Sequence, residues 1–390
     1  MSNKKHVDTT LVTTGRDPDA NFGIINPPVY HASTVLYPTV DALNREDAKV
    51  TYGRRGTPTT FALQDAVAEL EGGYRSLVTP SGLSACSIAL LGHLGAGDHL
   101  LITDSVYGPT RTFCNKVLSR YGVDVEYYPP TIGSKIQSLI KPNTKVIFVE
   151  APGSQTFEMQ DIPAIAKVAH QNNARVLFDN TWASPLFCNG FALGADIVIQ
   201  AATKYIVGHS DVMMGIITTT EEAWTDTVRT HGATGITTGP DDIYLALRGL
   251  RTLSVRLHRH METGLKLAHW LGERPEVARV LHPALVTDPG HEIWKRDFKG
   301  ASGLFGVILE PVSEKAVAAM LDDLELFGMG YSWGGYESLI VPADPRKNRT
   351  ATTWNAEGPL LRIHAGLEDP EDLIADLEEG FGRLRAEAKK

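Results

Sequence analysis

From Thr57 onward, short apolar runs alternate with helix-patterned segments, and this alternation restricts the chain to an α/β architecture with a mostly parallel sheet. The runs fall at residues 76–79, 99–103, 123–127, 145–150, 175–179, 197–200 and 214–218. Their near-continuous hydrophobicity marks strands covered on both faces by helices. The first helix follows Thr59, carries an amphipathic pattern and is stopped by Gly72 and Gly73.

Residues 1–56 lack this pattern. Pro27 and Pro28 hold the backbone extended there, and so polar an arm cannot fold alone, so it is expected to lie on a second subunit. At 390 residues the chain is long enough for two cores. The large domain is expected over 57–250. Residues 241–271 read as one long amphipathic helix leading into a smaller α+β unit over 251–390, with strands near 303–309 and 360–364 and helices near 316–321 and 370–377.

Asp179 and Lys204 each close a segment that reads as a buried strand, and charges are rarely so deep without a partner. Ligands of open α/β sheets bind at the carboxyl ends of strands, where these two side chains can meet. An acid for a ring nitrogen and an amine for an aldehyde is what pyridoxal phosphate (PLP) requires. A helix N-cap or a loop salt bridge for Asp179 and a snorkelling role for Lys204 are the structural alternatives. Thr79-Pro-Ser-Gly-Leu precedes a helix, so the N–H groups of Gly82 and Leu83 can hold a phosphate, with the Thr203 hydroxyl as a further contact. An ordinary capped turn explains that segment equally well on its own. Tyr107 follows a strand and can stack on the pyridine. Arg362, inside an apolar strand, suits a substrate carboxylate or a structural ion pair.

Other chemistry is excluded. A formal net charge of −9 argues against nucleic acid and anionic lipid as partners. The basic run from Arg248 to His260 sits on a helix without interleaved aromatics and reads as a solvated or domain-contact face. The 13 histidines show no metal spacing, so no metal site is expected, and no nucleotide-binding loop is present. A polar start, no apolar run of membrane length, and three scattered cysteines point to a cytoplasmic protein with reduced, buried thiols.

Three segments together, Thr51-Tyr-Gly-Arg-Arg-Gly-Thr-Pro-Thr, Gln200-Ala-Ala-Thr-Lys-Tyr-Ile-Val-Gly-His-Ser-Asp and Tyr331-Ser-Trp-Gly-Gly-Tyr-Glu-Ser-Leu-Ile, resemble the Cys/Met-metabolism family of PLP enzymes. The likeness runs from about residue 14 to 383. It implies an aspartate-aminotransferase-like fold of type I and a homotetramer built as a dimer of dimers. It further implies that Tyr52 and Arg54 reach the cofactor phosphate of the neighbouring subunit, which gives the arm its purpose. By the same resemblance Tyr107 stacks on the ring, Asp179 pairs with its nitrogen, and Lys204 binds the aldehyde. Ser332 and Arg362 then frame the substrate carboxylate, with Tyr52, Tyr107 and Trp333 around the substrate. Gamma-acting relatives tend to carry Leu where Trp333 stands and Asn where Ser154 stands. The resemblance therefore implies a carbon–sulfur β-lyase acting on an amino-acid thioether such as cystathionine in methionine biosynthesis. A gamma-synthase, a gamma-lyase and an amino-acid racemase are the alternatives.

Overall fold

The computed structural model describes residues 5–45 and 47–390; of the expected arm, residues 1–4 and 46 lie outside the described residues. Seven strands form the larger sheet: β1 (Arg75–Thr79), β2 (His99–Thr103), β3 (Asp124–Tyr128), β4 (Thr144–Glu150), β5 (Arg175–Asp179), β6 (Ile197–Gln200) and β7 (Gly215–Thr219). Their order is β1-β7-β6-β5-β4-β2-β3. Strands β3, β2, β4, β5 and β6 run parallel, and only β7 is antiparallel, to both of its neighbours.

Because successive side chains turn to opposite faces, each strand feeds two cores. Leu100, Ile102, Phe148 and Leu177 pack with Ala85, Cys86 and Ala89 of the helix Gly82–His93. Leu101, Ile147, Val176 and Phe178 pack on the other side, with Leu63 and Val67 of the helix Pro58–Glu71 and Ile162 and Ile165 of the helix Ile162–Gln171. This alternation puts Glu150 and Asp179, each two residues beyond a member of the first core, on the face of the helix Gly82–His93.

A second sheet is wholly antiparallel, in the order β10-β11-β9-β8, from β8 (Val277–Leu281), β9 (Leu304–Leu309), β10 (Leu339–Ala343) and β11 (Leu360–His364). Helices Leu253–Gly272, Glu314–Leu321 and Pro370–Ala388 close its apolar face through Leu267, Val317, Leu373 and Phe381. The sequence pattern reveals β9 and β11 but not the edge strands: β8 is half exposed, and Pro342 interrupts β10 as only an edge position tolerates.

Three expectations need correction. Residues 241–271 form two helices, Pro240–Leu250 and Leu253–Gly272, rather than one. Buried Arg256 folds back to the carbonyls of Gly249 and Tyr205, both at 2.8 Å, and Gly249 lies so close to the Val207 carbonyl that a side chain would clash. Within the basic run Arg248 and His258 are exposed, whereas Arg256 and His260 are buried and Arg251 donates to the carbonyls of Leu11 and Thr14 at 2.7 Å, so the run is in part solvated and in part a contact face. The arm is not extended throughout, since it contains the helices Val7–Thr13 and Val40–Asn44. Its middle is irregular and exposes Phe22, Ile24, Ile25 and Leu36.

Lys204 supplies the third correction. Strand β6 stops at Gln200, because the Ala201 N–H is taken by the Thr181 hydroxyl at 2.8 Å and the Lys204 N–H turns back to the Ala201 carbonyl at 3.0 Å. The lysine thus sits on a turn beyond the strand. The cysteines are buried and free as expected, and no described helix is long and apolar enough to cross a membrane.

Candidate active site

Asp179 ends β5 and is 9% exposed. Its Oδ1 accepts from the Thr181 N–H at 3.1 Å and the Thr181 hydroxyl at 2.5 Å, whereas among the described residues Oδ2 accepts only from the Cys86 thiol, at 3.8 Å. It caps no helix and, among the described residues, forms no ion pair, so neither structural alternative explains it. Burial pushes its carboxyl above the ordinary carboxylate range, with the Thr181 bonds and the Lys204 charge working against the rise. A buried acid with one oxygen free is suited to an external cation such as a pyridinium N–H.

The helix Gly82–His93 begins beside this acid. Its N-cap, Ser81, accepts from the Ser84 N–H with its side chain and the Ala85 N–H with its carbonyl, while the Gly82 and Leu83 N–H groups have no acceptor among the described residues. A β-carbon on Gly82 would lie 2.5 Å from that of Ala201. Glycine therefore lets the helix start touch the turn after β6, and two free donors converge with the helix dipole. The hydroxyl of Thr203, the further phosphate contact expected, donates to the Met214 carbonyl at 3.1 Å and accepts from the Met214 N–H at 2.8 Å. Its proton is committed to the backbone.

The Lys204 Nζ donates to the Ser332 hydroxyl at 2.6 Å and lies 5.1 Å from the centre of the Trp333 ring. Burial and then the nearby Arg362 lower the amine to about 8, against the opposite pull of Asp179. Acid and guanidinium are therefore each within electrostatic reach of the amine. The loop opposite the lysine is held by β11. Arg362 donates to the carbonyls of Gly330 at 3.2 Å and Ser332 at 3.0 Å, and His364 accepts from the Gly334 N–H at 3.1 Å. Burial keeps His364 well below its ordinary range, so it stays a neutral acceptor. Arg362 makes no ion pair among the described residues, which removes the competing explanation for it.

Ser332 adopts φ +76°, a left-handed conformation that costs a non-glycine residue about 1–3 kcal/mol. Gly334 lies at φ +85°, and a β-carbon on it would stand 2.9 Å from the Lys204 Cα. Gly334→Ala should consequently destabilise the fold by about 1–3 kcal/mol and lower turnover, because the loop and the lysine must move apart. Urea unfolding together with a rate measurement checks this; unchanged stability and rate would show that the packing is slack.

Tyr107 stands at the mouth of the site, 44% exposed, and burial, then the neighbouring Cys86, Glu150 and Asp179, raises its hydroxyl above the ordinary range against the pull of Arg362. Its backbone N–H donates to Glu150 Oε2 at 2.7 Å. Glu150 is a residue the sequence reading passed over, although it ends an apolar run just as Asp179 does. Asp104 also escaped notice: its buried carboxylate accepts from Arg111 and from the Thr350 and Thr352 N–H groups at 2.9 and 2.8 Å, tying the Tyr107 turn to the segment before β11. Among the described residues neither Tyr52 nor Arg54 hydrogen-bonds the lysine. Arg54 donates to the Gly232 carbonyl at 2.8 Å and lines, with Arg55, Arg75, Trp224 and His231, a cavity of about 510 Å³.

The residues present fit PLP: a buried acid open on one oxygen, two free N–H groups at a helix start, and a lysine of lowered basicity. Known proteins agree. The family described as Cys/Met metabolism PLP-dependent enzyme matches residues 8–382. The cystathionine beta-lyase MetC of Escherichia coli (strain K12) is 43% identical over 395 residues, spanning 98% of this chain and 100% of that protein. A protein of Wolbachia pipientis wMel named L-alanine/L-glutamate racemase is 41% identical over 394 residues, 97% of each chain. The solved structure of cystathionine gamma synthase from Xanthomonas oryzae pv. oryzae matches with a TM-score of 0.91 at 32% identity, over 98% of this chain and 100% of that one.

Proposed function

This chain belongs to the Cys/Met metabolism PLP-dependent enzyme family, and from that premise we propose that it is a carbon–sulfur β-lyase cleaving L-cystathionine to homocysteine, pyruvate and ammonia. Its cofactor is pyridoxal phosphate and its fold is that of the type I PLP enzymes. The observation that carries the finer reading is the loop against Lys204, where Trp333, at the position in which gamma-acting relatives tend to carry Leu, lies 5.1 Å from the amine. The beta-lyase relative, 43% identical over the whole length, supports it.

The cofactor, when bound, supplies a protonated ring that accepts the electron pair left by a departing α-proton. In this proposal Asp179 keeps that ring nitrogen protonated through Oδ2, and the Gly82 and Leu83 N–H groups hold the phosphate. Tyr107 stacks on the ring. Arg362 and Ser332 orient the substrate carboxylate, a bidentate grip that Lys could not reproduce. Lys204, lowered to about 8, takes the α-proton as a neutral amine. The bond from Cβ to sulfur then breaks with its pair on sulfur, and Lys204 or Tyr107 returns a proton to the leaving thiolate. The enamine that remains takes up water and yields pyruvate and ammonia.

Tyr52 and Arg54 are proposed to serve a neighbouring subunit's phosphate in a homo-oligomer, a dimer of dimers, in the cytoplasm. The exposed apolar residues of the arm support such a contact. Mixing Arg54→Ala with Lys204→Ala subunits should then restore about a quarter of wild-type activity, since half the random dimers regain one complete site. No recovery after verified subunit exchange would confine Arg54 to its own chain.

Incubating the purified yellow protein with cystathionine tests the reaction itself. Pyruvate with homocysteine is expected. 2-Oxobutyrate would indicate gamma-elimination instead, in line with the gamma synthase likeness. Loss of optical rotation from alanine without keto acid would support the racemase reading that the Wolbachia relative's name suggests.

A further inference from the structure

Glu150 ends β4 as Asp179 ends β5, and the two are register partners on neighbouring parallel strands. Both side chains therefore turn to the face of the helix Gly82–His93. Two carboxyls placed side by side, Asp179 buried and Glu150 half-buried, do not readily ionise together. Asp179 has the Thr181 donors and the Lys204 charge to favour its ionised form. Glu150 has a single donor, the Tyr107 N–H, and among the described residues no cation beside it. Its titratable neighbours are Asp179 on β5, Cys86 on the helix Gly82–His93 and Tyr107 itself.

We propose that Glu150 is a positioning residue: as the neutral acid it holds the Tyr107 N–H, and so fixes the aromatic ring at the mouth of the Lys204–Asp179 site. Burial and then the Asp179 charge hold its carboxyl well above the ordinary range, in keeping with that state. The neutral form also spares the site a second anion. A carboxylate there would compete with Asp179 for the positive charge of the ring.

The inference rests on the stacking role proposed for Tyr107, but its first readout does not depend on the reaction. Hydrogen exchange of the holoenzyme, followed on peptides that isolate the Tyr107 amide, should quicken about tenfold in Glu150→Ala through loss of one hydrogen bond. Glu150→Gln, whose amide oxygen accepts the same N–H without charge, should keep the protection and recover most of the kcat/KM that Glu150→Ala loses. Glu150→Met serves in place of Glu150→Ala if the latter does not fold. Unchanged exchange in the acceptor-free variant would overturn the proposal. So would a Glu150→Gln enzyme as impaired as that variant, since an ionised carboxylate would then be required. A failed β-elimination assay with intact exchange effects would contradict only the choice of reaction.

Discussion

Lys204→Ala is expected to give a folded protein that has lost its yellow colour and more than about 10⁴-fold of its thioether cleavage, because one amine both binds the aldehyde and moves the α-proton. The fold should survive. Lys204 is half-buried on a turn, its amine makes one hydrogen bond, to Ser332, and its backbone contacts with Ala201 and Gly208 do not involve the side chain. Unfolding free energy should change by no more than about 1 kcal/mol. Absorbance spectra and pyruvate release measure the two losses, and circular dichroism checks the fold. A coloured, active variant would show that another amine does the work.

Asp179→Asn tests the other half of the site. The substitution keeps shape and lets the side-chain oxygen still accept from Thr181, so protein and cofactor should both remain. It removes the one charge that holds a proton on the ring nitrogen. Turnover should fall about 10²- to 10⁴-fold with KM changed far less, since the interaction matters most when the α-carbon carries its electron pair. Among the described residues the buried acid forms no ion pair, and burial raises it, so exchanging it for a neutral amide should not cost stability. Near-normal turnover would mean that ring protonation is not enforced by this residue.

Much of this arrangement is legible from the chain alone. Strands β2, β5 and β6 coincide with apolar runs, and Asp179 was identifiable as a charge closing one of them. The turn carrying Lys204 was less so, because Ala201 and Ala202 continue the apolar run while their backbone has already left the sheet. The edge strands of the second sheet, β8 and β10, and the break at Arg251 escaped for a different reason: tertiary contacts decide them. Pro342 is tolerated where no neighbour needs its N–H, and the helix breaks where Arg256 caps carbonyls distant in sequence. Glu150 carried the same signal as Asp179, but its partner is a backbone amide on another loop, which no local pattern announces. The contacts of Thr203 with Met214 and of Arg54 with Gly232 likewise depend on folded geometry.

Borohydride reduction of the holoenzyme, followed by peptide mass mapping, addresses most directly whether the lysine beyond β6 is the attachment point. A pyridoxyl mass on the peptide containing Lys204, with colour retained by the reduced protein after dialysis, is the predicted result. The label on any other lysine, or none in a preparation saturated with pyridoxal phosphate, would contradict the account.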